Sequence, residues 1–288
     1  EYRTKLAPIE STLANLEIFK QNPKFLLRLK MNLEQESFYE AHQLFKTIHF
    51  RASSIDLLDD CLHLIYYGII YFETKSQLYC TFDLAKVFID TLKKSTRITA
   101  SDATLLDQLK RIHRALRSGA EERNEFSVAA LKWSSSLFDS RTVEKLPPNF
   151  NLVYSPTIVD DSSVVVARLV ADNYSTIYQK KFGHFQLHTQ FALNYWHEKQ
   201  YGMARYHFLH SLDGSLFARM VVENHETHGF PSEIDLFLVQ AVLQYLCLRN
   251  FECAHQFFYS YLQNHPKLDD TKRKRCEDDA TTTTKATT

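Results

Sequence analysis

The sequence is poor in chain breakers. Its 288 residues include only six glycines and seven prolines. Sandwiches and barrels need turn residues at short intervals, so this scarcity argues for long helices. Gly68, Gly119, Gly183, Gly202, Gly214 and Gly229 stand apart from one another. That spacing excludes the glycine-rich loops that cradle nucleotide phosphates. Net charge is lacking too, with 34 Lys+Arg against 34 Asp+Glu. No overall field draws the chain to nucleic acid or an anionic membrane. The cysteines, Cys61, Cys80, Cys247, Cys253 and Cys276, are odd in number and fit neither a disulfide framework nor a zinc pattern. A reducing compartment follows. The best apolar run, Cys61 to Phe72, is about half the length of a membrane span and carries His63. No secretory signal is visible, and a cytosolic protein is expected. The chain opens on Glu1 rather than Met, so a longer N-terminus is expected as well.

What is present is a repeat. An aromatic, an alanine three residues on and a large apolar residue four further recur as Phe38, Ala41, Phe45; Phe82, Ala85, Ile89; and Phe126, Ala129, Trp133. The pattern returns as Tyr201, Ala204, Phe208 and as Phe251, Ala254, Phe258. The first three alanines are 44 residues apart, and the last two 50. Positions i, i+3 and i+7 share one helix face, and a central alanine lets a neighbouring backbone approach. Other apolar stripes lie between these: Phe25, Leu26, Leu29, Leu33; Leu58, Leu62, Ile65, Ile69; Leu105, Leu109, Ile112, Leu116; Phe191, Tyr195; and Ile234 to Leu246. Gly119 and Gly229 are expected at helix C-caps, and Ser101 at an N-cap. One hairpin cannot bury such a face alone, so the fold class is all-α: a right-handed α-solenoid of stacked helical hairpins, TPR-like.

The rhythm fails twice. From Ala129 to Ala204 is 75 residues, and the interval holds Pro147, Pro148, Pro156 and a β-favouring Val164-Val165-Val166. After Pro266 come Lys272-Arg273-Lys274-Arg275 and a Thr-rich end without core-forming residues. The expected organisation is an N-terminal helical-repeat half over 1–134, an insertion of poor helix propensity over 135–181, a C-terminal half over 182–266 and a disordered tail over 267–288.

Little points to chemistry. His184/His188, His207/His210 and His225/His228 have helical spacings that can bind a metal. No His-Glu-x-x-His motif or cysteine cluster joins them, so buried or interface histidines are the expected role, with a His-based metal hydrolase as the different-class alternative. No catalytic residue, cofactor site or metal site is expected. Lys110, Arg111, Arg114 and Arg117 make a basic stripe, either a solvated face or a dock for an acidic partner.

Longer strings carry a resemblance. Phe38 to Thr47, Ala130 to Ser134, Gly202 to Gly214 and Phe230 to Asn250 resemble the Golgi-to-ER traffic protein 4 family, a subunit of the transmembrane-domain recognition complex in animals. The resemblance spans about 20–134 and 182–266, and nothing in the family pattern matches the stretch from about Ser135 to Lys181. It implies a non-enzymatic α-solenoid adaptor in cytosolic delivery of tail-anchored membrane proteins to the ER. The N-terminal half of the family docks the client-loading ATPase; its C-terminal half docks a ubiquitin-like subunit and a large BAG-type scaffold protein. The family continues past Pro266 with further helices, so the second docking is the less secure. On the matching N-terminal helices, Lys24, Arg28, Lys46 and Arg51 are the expected basic contacts to the ATPase. A generic helical-repeat scaffold of another complex shares the repeat but predicts none of these strings.

Overall fold

The computed structural model describes residues 13, 15–94, 102–117, 119–137 and 178–268. Among these residues there is helix and turn but no strand. The chain divides into two compact units, Glu1–His184 and Phe185–Thr288.

The first unit contains α1 (Glu17–Gln21), α2 (Pro23–Glu34), α3 (Phe38–Ser54), α4 (Leu58–Thr74), α5 (Leu78–Lys94), α6 (Ala103–Ala115) and α7 (Ala120–Ser136). Each helix packs on the next in sequence from α1 to α5, as does α6 on α7. Also, α4 packs on α6 and α5 on α7. This neighbour-and-next-neighbour pairing is the stacked-hairpin arrangement expected from the repeat. α4 shows why: from Cys61 to Phe72 every described side chain but His63 is buried. A helix apolar on all sides is stable only with neighbours on all sides. α6 is the opposite case, burying Leu105, Leu106, Leu109 and Ile112 and turning Asp107, Arg111 and Arg114 to solvent.

The second unit contains α8 (Phe185–His197), α9 (Tyr201–Leu209), α10 (Gly214–His228), a 3-10 turn (Pro231–Glu233), α11 (Ile234–Cys247) and α12 (Phe251–Asn264). Its core gathers Phe208, Phe217, Tyr245, Phe257 and Tyr261 around α10. α10 crosses α12 closely at Gly214, where a Cβ would lie 2.3 Å from the Cys253 carbonyl oxygen and 2.9 Å from the Phe257 nitrogen. Only glycine fits that approach.

Five helix-to-helix turns are copies of one another. Glu36, Asp56, Ser76, Lys199 and Arg249 each have φ between 55° and 61°. The next residue's N–H reaches back five positions in every case: Ser37 to Asn32 O, Leu57 to Ala52 O, Gln77 to Phe72 O, Gln200 to Tyr195 O and Asn250 to Tyr245 O, at 2.9–3.0 Å. This is a Schellman ending with a three-residue linker, built without the usual glycine.

Several local expectations are corrected. Gly119 is the N-cap of α7, not a C-cap, whereas Gly229 is the C-cap of α10 as expected, in extended conformation at φ −88°. Asp102 caps α6, accepting from the Thr104 and Leu105 amides at 2.8 and 3.3 Å; Ser101 lies outside the described residues. In α7 the buried alanine is Ala130, not Ala129. The 50-residue step from Ala204 to Ala254 runs from α9 to α12, three helices on, so those two copies are not one hairpin apart. Of the expected insertion, residues 138–177 lie outside the described residues, but its flanks are helical. α7 runs to Ser136, and 178–182 is helical, with Tyr178 buried against Phe182. The returning segment lies along α7: Ser135 Oγ donates to the Lys180 carbonyl, and the His184 amide donates to Ser134 Oγ at 3.0 Å. Of the expected tail, only 267–268 is described, and those residues close a helical turn.

Candidate partner-docking surface

α2 begins at Pro23 in the first helical position, where a missing N–H costs nothing. Its inward side is Phe25, Leu26, Leu29 and Leu33, with Leu29 fully buried. That leaves Lys24, Leu27, Arg28 and Met31 facing out at i, i+3, i+4 and i+7. Leu27 is 63% exposed. Two cations interleaved with two long apolar side chains make a mixed face suited to a protein partner with apolar and acidic groups.

The four expected contact residues do not share one role. Lys24 and Arg28 lie together on this outer face of α2. The Arg51 guanidinium, from α3, sits 4.9 Å from the Phe25 ring centroid, which ties the end of α3 to α2. Lys46 points elsewhere: its ammonium donates to Asp83 Oδ2 at 2.9 Å, and His42 Nε2 meets the same oxygen at 2.9 Å. Burial pushes Asp83 up, but Lys46 and His42 together outweigh it and hold the carboxyl below the usual range. Burial likewise holds His42 below the ordinary imidazole value, against the pull of Asp83. The trio joins α3 to α5. Leu27 and Met31 carry no charge to mark them in the sequence; their signal is that they lie off the buried stripe of α2.

The histidine pairs resolve into packing. His188 Nδ1 meets His207 Nδ1 at 3.0 Å, and the His188 ring lies 5.1 Å from that of His210. His225 Nε2 donates to the Phe230 carbonyl at 3.0 Å, so its Nδ1 accepts from His265 Nε2 at 3.0 Å. His228 sits edge-on to Tyr201. Among the described residues, no three His, Cys, Asp or Glu side chains could hold one metal ion together. Burial pushes the Cys61 thiol up to about 12 and Cys253 to about 11, away from the reactive thiolate. On α6, Arg111 pairs with Asp107 at 2.8 Å and Arg114 faces solvent, as does Arg117 just past the helix end. Among the described residues no helix is long and apolar enough to cross a membrane.

The model of the family described as Golgi to ER traffic protein 4 matches residues 57–146 and 166–286. The stretch it leaves out within that range, 147–165, is shorter than the 135–181 expected to lack a family match, and it contains Pro147, Pro148, Pro156 and the first two residues of the valine run. The human Golgi to ER traffic protein 4 homolog is 32% identical over 243 residues, covering 84% of this chain and 61% of its own length. The Xenopus laevis homolog A gives the same identity and coverage, and the bovine homolog is 31% identical. The crystal structure of the C. therm. Get4 protein superposes with a TM-score of 0.62 at 18% identity, over 87% of this chain and 67% of that one. At that identity the likeness shows the fold, an α-solenoid. The chain thus spans about 61% of the length of the relatives it matches. On the extent of the family match and the identity to the human relative, the chain belongs to the Golgi to ER traffic protein 4 family.

Proposed function

We propose that this chain is a cytosolic, non-enzymatic adaptor in delivery of tail-anchored membrane proteins to the ER, bridging the client-carrying ATPase to a ubiquitin-like or scaffold subunit. The observation that carries the reading is the outer face of α2, where Lys24, Leu27, Arg28 and Met31 stand exposed on a helix whose other side is anchored in the stack. A face held by a rigid neighbour loses little entropy on docking. The cations steer an acidic surface toward it, and the apolar pair supplies contact area once it arrives. Lys46 and Arg51 act in this reading by fixing α3 against α5 and α2, and they contact a partner secondarily.

The test is association of the purified chain with the ATPase of the tail-anchored pathway, at two salt concentrations. Lys24→Glu with Arg28→Glu should slow association about tenfold at low salt and flatten its salt dependence. Leu27→Ala with Met31→Ala should instead speed dissociation. Absence of binding by the unaltered chain to both the ATPase and the ubiquitin-like subunit overturns the proposal.

A further inference from the structure

The corner where α10, α11 and α12 meet is closed by two imidazoles. His225, in the last turn of α10, gives its Nε2 proton to the Phe230 carbonyl, which can only accept. Its Nδ1 is therefore the acceptor for His265, which stands just past α12 and donates from Nε2. Phe230 leads into α11 through the 3-10 turn, so the relay ties the ends of α10 and α12 to the start of α11. Both rings are buried, His225 at 1% and His265 at 0% exposure. The fourth ring nitrogen, His265 Nδ1, is buried with no hydrogen-bond partner among the described residues. The closed relay thus has no place for another proton. His225 Nδ1 is taken by the bond from His265. A proton on His265 Nδ1 would be a buried N–H without an acceptor, on a ring newly charged.

We infer that the His225–His265 pair is a proton-operated latch: the neutral rings hold the corner closed, and a proton opens it by sending the His265 ring to solvent. Burial outweighs everything else at His265 and holds it below the ordinary imidazole value while the latch is closed. His225 and Lys267 push it the same way, and Glu226 of α10 opposes them. His228, next on α10, turns to Tyr201 instead. On α12 the Tyr261 ring lies 5.3 Å from His265, and on α11 the Phe237 ring lies 5.1 Å from His225. The acid of α11, Asp235, acts on Tyr261, whose hydroxyl donates to the Ile234 carbonyl at 3.1 Å. Glu233 of the 3-10 turn accepts from the Phe230 amide at 2.9 Å. Those last two bonds need neither imidazole, so the opening is local rather than an unfolding of α11. The open ring protonates near its ordinary value and the closed ring only lower, so closure is complete above about pH 6.5 and weakens as pH falls.

The measurement is amide hydrogen exchange of the full 288-residue chain at pH 7.5 and 5.5, corrected for the intrinsic pH dependence of exchange. The reporters are the amides of Gly229, Glu233, His265 and Leu268, each hydrogen-bonded at the corner. At pH 5.5 an open imidazole of ordinary value 6.5 is about ten parts protonated to one neutral, so opening should rise about tenfold. His265→Gln can still donate to His225 Nδ1 but takes no proton. It should keep the protection of the corner at pH 7.5 and lose the rise at pH 5.5. His210→Asn, which removes a titrating ring elsewhere in the second unit, should leave the rise in place. Ring nitrogen spectra at pH 7.5 should show His225 and His265 both as neutral Nε2–H tautomers. No rise in the unaltered chain, a rise that survives His265→Gln, or an Nδ1–H tautomer on either ring overturns the inference. So does a His265→Gln corner already open at pH 7.5, since the shape of the ring and not its proton then closes it.

Discussion

Acidification from pH 7.5 to 5.5 should destabilise both units, and two histidines set the size of the effect. His184 in the first unit is 4% exposed, and His210 in the second is 8% exposed. Burial depresses each to about 4, from an ordinary value of 6.5. The sign follows from which state takes up the proton first. The unfolded chain protonates near pH 6.5 and the folded chain only near 4, so stability is complete above about 6.5 and is lost as pH falls toward 4. At pH 5.5 a group with these two values contributes about 1.3 kcal/mol less than at pH 7.5, and each unit holds one such group. His42, His49 and His265 are also held low, chiefly by burial, and shift the same way. Asp83 and Glu223, held below their ordinary values, add a loss only at lower pH, so the window from 6.5 to 4.5 belongs to the histidines. Urea unfolding at the two pH values, followed by far-UV circular dichroism, reads the difference. His210→Asn should remove about 1.3 kcal/mol of the pH difference in the second unit, whatever it does to baseline stability. Equal or greater stability at pH 5.5 refutes the reasoning, because it requires these imidazoles to be reached by solvent in the folded state.

Two further outcomes test the packing. Gly214→Ala sets a methyl against the backbone of α12, which cannot yield as a side chain does, and should cost about 3 kcal/mol or more in thermal or urea unfolding of the second unit; retention of wild-type stability removes the close α10–α12 approach. Asp56→Gly and Arg249→Gly relieve a left-handed residue at a cost in unfolded-state entropy, for a net gain of about 0.5 kcal/mol each, whereas valine at either position should lose at least about 1 kcal/mol; equal melting temperatures for the glycine and valine variants contradict the turn geometry.

The repeat was legible because it is written in the apolar pattern, which burial enforces directly. Phe45, Ala85 and Phe208 could each be placed on a buried face from spacing alone. The helix ends were not legible for a definite reason. Glycine at C′ is the usual sequence mark of such an end, but this chain ends five helices on Glu36, Asp56, Ser76, Lys199 and Arg249, which hold the left-handed conformation because the flanking helices fix it. The signal that marks those ends is distance: the first three are 20 residues apart. α10 is harder to read because its buried stripe, Gly214, Phe217, Ala218, Val221, Val222 and His225, carries helical spacing but begins on a glycine and ends on a histidine, neither of which counts as apolar. Its solvent side is narrow, marked by Arg219, Glu226 and Thr227, because α9, α11 and α12 all pack on it.

Charge was the least legible property, and for the candidate surface it mattered most. A lysine in the sequence says that a cation exists, not where its field ends. Lys46 and Arg51 were grouped with Lys24 and Arg28 by sign, yet the fold sends Lys46 to Asp83 on α5 and lays Arg51 over Phe25. An ammonium already bonded to a carboxylate must give up that bond to serve a partner, so little net attraction is left for one. Lys24 and Arg28, side by side with exposed Leu27 and Met31, face no such competition from Asp83. A docking face in a stacked-helix protein is therefore better found by subtraction: the residues that neither the core stripe nor the interhelical bridges claim. The same subtraction on α11 leaves Leu236, Val239, Leu243 and Leu246 exposed with no charge among them, whereas on α2 it leaves two cations beside two apolar side chains.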